Sequence, residues 1–142
     1  MDRVVVDGSV AIKWFLTEDY TTEALRIRAR YDSDDLVLLA PDLINAEVGN
    51  VIWAKRRSRI LTTEEAQTAI DDFRTIEFEF TPTSQLLNEA YRLAAGHNIT
   101  VYDAMYVALS LREGCRLVTA DEDMVKGIGS GYTNVILVAN WS

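Results

Sequence analysis

Short unbroken apolar runs alternate along this chain with longer stretches in which apolar residues return every three or four positions. Four of the runs predict strands buried on both faces: Arg3-Val4-Val5-Val6, Leu36-Val37-Leu38-Leu39-Ala40, Arg116-Leu117-Val118-Thr119 and Val135-Ile136-Leu137-Val138. Ile76-Glu77-Phe78-Glu79-Phe80 alternates with period two and predicts a fifth, less buried strand. Between them lie helical patterns. Ser9 is a candidate cap for a helix through Trp14-Phe15-Leu16, and Thr22 to Tyr31 reads as a second helix. Pro41 and Asp42 start a long helix to Arg57, and Thr62-Thr63-Glu64-Glu65 is a capping box opening a helix to Arg74. Thr81-Pro82 opens another, through Leu86, Leu87, Ala90 and Leu93, that stops near Gly96. Thr100 to Arg112 is a helix ended by Gly114, and Asp121 to Lys126 is a short one.

This alternation predicts an α/β fold, with a mostly parallel central sheet of about five strands flanked by helices on both faces. In such folds ligands bind outside the carboxyl ends of the strands. The length of 142 residues predicts a single domain over 1–142. Apolar content of 49% and charged content of 25% are those of a soluble globular protein. No apolar run approaches the roughly 20 residues of a membrane span, and no signal peptide is expected. With one cysteine there is no internal disulfide, and Cys115 is expected to be a small buried hydrophobe. One His and one Cys argue against a structural zinc site, and a reducing cytoplasm is the expected setting. A net charge of −8 weighs against general nucleic-acid affinity while leaving room for a local basic patch.

The candidate chemistry lies in four acids where apolar segments end or turn: Asp7, Glu47, Asp103 and Asp121. Each has an alternative reading. Asp7 begins an Asp-Gly turn, Asp121 could cap the helix that follows it, and Asp103 completes a capping box with Asp in place of Glu. Glu47 has Leu43 and Val51 one turn either side, with Ile44 and Ala54 on the same face, so it reads as central in an apolar stripe. A carboxylate there needs a salt bridge, hydrogen bonds or a metal. Asn50, one turn on, is placed to hydrogen-bond the same site. Four acids gathered at one core edge repel one another, and a hard divalent cation such as Mg²⁺ or Mn²⁺ removes that repulsion.

Four segments together resemble the PIN domain, specifically the VapC type of toxin ribonuclease. They are Val4-Val5-Val6-Asp7-Gly8-Ser9, Pro41-Asp42-Leu43-Ile44-Asn45-Ala46-Glu47-Val48, Tyr102-Asp103-Ala104-Met105-Tyr106-Val107-Ala108-Leu109 and Leu117-Val118-Thr119-Ala120-Asp121-Glu122-Asp123-Met124. Their order and spread over nearly the entire chain carry the resemblance. It implies a three-layer PIN-like fold and a metal-dependent endoribonuclease of a VapBC-type toxin–antitoxin pair. It also implies a VapB-type antitoxin partner and a homodimer. The four acids carry over as metal-binding catalytic positions, Ser9 and Thr119 as accessory polar positions, and Asp123 as a weaker one. Met124 stands where the family often has an aromatic, which is a change of packing.

On this reading Asp7, Asp103 and Asp121 hold one Mg²⁺ or Mn²⁺. Glu47 helps hold a second ion, roughly 3.5–4 Å away, or positions the attacking water. His97 is assigned to a loop, without a catalytic role. RNA needs cations, and Lys55-Arg56-Arg57-Ser58-Arg59 is the densest basic run, although cations also suit a helix C-terminus. Lys13 is a further candidate for a phosphate contact. Two rival readings are another Mg²⁺-dependent phosphoryl-transfer domain and a catalytically silent PIN-like docking module. A haloacid-dehalogenase-like site wants a second Asp where Ser9 stands, and a receiver domain wants a late-loop Lys that is missing here.

Overall fold

All five strands pair in parallel, in the order β3-β2-β1-β4-β5, in a computed structural model that describes residues 1–142. The strands are β1 (Asp2–Val6), β2 (Leu36–Pro41), β3 (Glu79–Thr81), β4 (Arg116–Thr119) and β5 (Val135–Leu137). The helices are α1 (Gly8–Ala11), α2 (Thr21–Asp32), α3 (Leu43–Arg57), α4 (Thr63–Phe73), α5 (Thr83–His97), α6 (Val101–Glu113) and α7 (Glu122–Ile128). Val4, Val5 and Val6 lie between Leu38 and Leu39 of β2 on one side and Leu117 and Val118 of β4 on the other. All of these residues are buried, as expected of strands covered on both faces.

From β1 the chain steps outward to β2 and β3, then returns past β1 to β4 and β5. Right-handed crossovers therefore put α2, α3 and α4 on one face and α5, α6 and α7 on the other. Helix α6 packs across β1, β2 and β4 and against α5. The strand order reverses between β1 and β4, so a topological switch point opens beyond Val6 and Thr119. No helix is long and apolar enough to cross a membrane.

Several expectations shift. Asp7, not Ser9, caps α1: its side chain accepts from the Val10 N–H. The helix then tightens into a 3-10 turn, Ile12–Trp14, instead of running on to Leu16. Pro41 ends β2 and does not open α3; its missing N–H falls past the β1 ladder, which stops at Leu39. Strand β3 covers only Glu79–Thr81, because Ile76 and Phe78 turn inward before pairing begins at Leu39. Phe78 packs there with Trp14 and Phe73. His97 closes α5, and its ring meets the Tyr132 hydroxyl. Cys115 is half-buried. The α4 capping box forms as expected, and Gly114 ends α6 at φ 62°.

Candidate active site

The site is built first from the two strands at the switch point. Asp7 follows β1 and is 4% exposed. Its N–H reaches the Val118 carbonyl at 3.4 Å, which extends the β1–β4 ladder by one step. Ser9 Oγ donates to Asp7 Oδ1 at 2.6 Å, and the buried Thr119 hydroxyl donates to Asp7 Oδ2. Each hydroxyl also accepts from the loop beyond β4: Ser9 from the Ala120 N–H and Thr119 from the Asp121 N–H, both at 3.0 Å. The two strand ends are thus stitched together through the Asp7 carboxylate. With the Val10 N–H as third donor, about one of its four acceptor positions stays open.

The helices supply the other acids. Asp121 caps α7 through Oδ1, which accepts from Asp123 N at 2.9 Å and Met124 N at 3.1 Å, and its Oδ2 stays free. Asp103 lies in the first turn of α6, where Thr100 accepts its N–H at 3.1 Å. No return bond reaches the Thr100 N–H, so the capping box is half-made. Glu47 is half-buried on α3, beside the buried stripe of Ile44, Val48 and Ile52; Ala54 is exposed. It therefore flanks the apolar stripe instead of sitting central in it. Glu47 forms no salt bridge, and its Oε1 accepts from the Tyr106 hydroxyl of α6.

Electrostatics link the four. Burial pushes Asp7 up to about 6 against its three hydrogen bonds, and the Glu47 charge adds to the rise. Burial raises Glu47 as well, opposed by the Tyr106 hydroxyl and reinforced by Asp103. Burial and then the charge of Asp121 raise Asp103. Burial, then the Glu47 charge, holds the Tyr106 phenol far above its ordinary range. None of the ion pairs in the molecule involves these acids. As the side chains stand, no three of them close on one point as a finished metal-ligand set. The donor chemistry nonetheless fits a hard divalent cation: oxygen donors only, mutually repelling, with no basic side chain opposing them.

Other candidates fall outside this group. Asn50 is exposed and bonds to none of these groups, and Asp123 is exposed and contributes only its N–H. Lys13 is 8% exposed and paired with Glu18 at 3.1 Å, so it is no free phosphate contact; Lys55 shares Glu18 at 3.5 Å. Arg56, Arg57 and Arg59 are exposed and form no ion pair; together with Leu61, Thr62 and Thr63 they line one shallow pocket. Tyr106 is the residue the sequence hid. A tyrosine inside an apolar helical run reads as core, and its only signal is its place one turn beyond Asp103.

Residues 4–127 match the PIN domain profile. Ribonuclease VapC3 of Pyrobaculum aerophilum is 30% identical over 128 residues, which cover 87% of this chain and 93% of that protein. The chain belongs to the PIN domain family, in its VapC branch. Two solved structures share the fold of this VapC-type chain. A Pyrobaculum aerophilum protein superposes with a TM-score of 0.70 at 23% identity, covering 97% of this chain and 85% of that one. Rickettsia felis VapBC2, crystallised with a DNA fragment from its promoter, gives 0.60 at 16% identity, covering 95% and 96%.

Proposed function

We propose that this chain is the toxin of a VapBC-type pair: an endoribonuclease that hydrolyses RNA phosphodiester bonds with a divalent cation held by Asp7, Glu47, Asp103 and Asp121. Residues 1–142 act as one PIN domain in the cytoplasm. The observation that carries the reading is the set of four carboxylates at the switch point of a VapC-type fold, met by no basic side chain, with Asp7, Glu47 and Asp103 raised by burial and by a neighbouring acid. Mg²⁺, or Mn²⁺ in its place, would neutralise these acids, activate water and offset the charge that builds on the phosphate. Ser9 and Thr119 fix both Asp7 oxygens. The α7 N-terminus orients Asp121 and leaves one oxygen free. Phosphate contacts come from Arg56, Arg57 and Arg59, with Lys55 beside them. A VapB-type antitoxin is the proposed partner, in line with the VapBC2 complex among the structural neighbours, and a second copy of the chain is proposed beside it.

Antitoxin-free protein incubated with total RNA and tRNA tests this, in Mg²⁺, in Mn²⁺ and in chelator, beside Asp7→Asn and Asp103→Asn. Discrete fragments are expected with metal, and at least 100-fold less cleavage in either variant, the scale of losing a charge-stabilising group. A folded protein that neither cleaves nor binds Mn²⁺ would be a docking module instead.

A further inference from the structure

We propose that Tyr106 is a positioning residue for Glu47, a role that rests on the nuclease reading. The Tyr106 ring is 1% exposed. It reaches from α6, in one helical layer, to α3 in the other, and its hydroxyl donates to Glu47 Oε1. Glu47 Oε2 is left without a partner, so the bond selects which oxygen remains for a ligand. A glutamate side chain has three rotatable bonds, and nothing else hydrogen-bonds this one. The Tyr106 hydroxyl, on a buried side chain, needs a protein acceptor, and Glu47 Oε1 is the one it has. Asp103 lies one turn before Tyr106 on the same helix face, so α6 presents one acid and orients a second. A partner that aims a ligating carboxylate governs cation affinity almost as much as the ligand itself.

Tyr106→Phe keeps the ring and removes only the donor. Mn²⁺ binding to the RNA-free protein, followed by electron paramagnetic resonance of the free ion, separates positioning from packing; cleavage kinetics and thermal melts run beside it. The expected variant melts within a few degrees of wild type, binds Mn²⁺ about 10- to 100-fold more weakly, and loses kcat more than KM. In a Glu47→Gln background the same change is expected to add almost nothing, because both act through one carboxylate. If Tyr106→Phe matches wild type, or if its loss multiplies with that of Glu47→Gln, the role is refuted. Wild-type protein that neither binds Mn²⁺ nor cleaves RNA would sink the nuclease reading and this role together. Wild-type protein that does both, matched by Tyr106→Phe, would sink this role alone.

Discussion

Asp7 is where folding and the proposed chemistry conflict most. It caps α1 and ties β1 to β4, yet it is held buried, beside Glu47, with a carboxyl raised to about 6. The sign of the consequence follows from linkage. A carboxyl raised above its unfolded value binds protons more readily in the folded state, so its contribution is full below about pH 4 and is lost as pH rises through about 6. The rise from 3.8 to about 6 corresponds to on the order of 3 kcal/mol, and Glu47 and Asp103 shift the same way. Chelator-treated protein is therefore expected to melt higher at pH 5 than at pH 7. Asp7→Asn is expected to flatten that difference and to match or exceed wild type at pH 7. Melts in EDTA across this range check it, and a wild-type protein that is less stable at pH 5 would contradict it. Such a variant would separate stability from activity, since the acid that costs the fold is the one the proposed reaction needs.

Elements position these acids, and one glycine sets how closely two elements meet. A Cβ at Gly8 on α1 would lie 3.2 Å from Glu47 Cβ and 3.9 Å from Val48 Cγ2 on α3. Gly8→Ala is expected to push Glu47 aside by a few tenths of an ångström, cost about 1–3 kcal/mol and lower metal-dependent cleavage. Gly49→Ala, in the same helix as Glu47 with open space around it, should instead gain about 0.5–1 kcal/mol and cleave normally. Melting and cleavage assays on both variants decide this, and equal behaviour would refute the close-approach argument. The strands were legible wherever burial on both faces left an unbroken apolar run, as in β1, β2 and β4. Strand β3 was not, because Ile76 and Phe78 owe their apolar character to an aromatic cluster and not to pairing. Glu47 was legible as an acid near a core but not as the flank of a stripe, since helical spacing cannot say which neighbouring face α1 covers. Lys13 looked free because Glu18, five residues on, lies across a turn whose geometry the sequence does not declare. Tyr106 was hidden because only the opposite layer gives its hydroxyl a partner.

The proposed reaction asks a chain with a net charge of −8 to engage a polyanion. The densest group of unpaired cations lies where α3 ends. Arg56, Arg57 and Arg59 form no ion pair, while Lys13 and Lys55 share Glu18. Arg57 lies over the Trp53 ring at 5.3 Å, and Trp53 is 52% exposed, so a stacking surface accompanies the charge. Glu47 stands ten residues before Arg57 on the same helix, roughly 15 Å along its axis, a span of a few nucleotides. Helix ends favour cations whether or not RNA binds, so charge alone does not decide the role. Counterion release does. Each phosphate neutralised on a single strand contributes about 0.7 to the slope of log affinity against log salt. Replacing Arg56, Arg57 and Arg59 with Ala in an Asp7→Asn background, which leaves the RNA intact, is expected to lower that slope by roughly 2 and to weaken binding alike across sequences. Fluorescence anisotropy of a labelled RNA over a salt series measures it. Lys13→Met provides the contrast: loss of a buried partner for Glu18 should lower the melting temperature and leave the slope unchanged. An unchanged slope in the triple variant would mean that these arginines serve the helix end, and that RNA reaches the acids by another route.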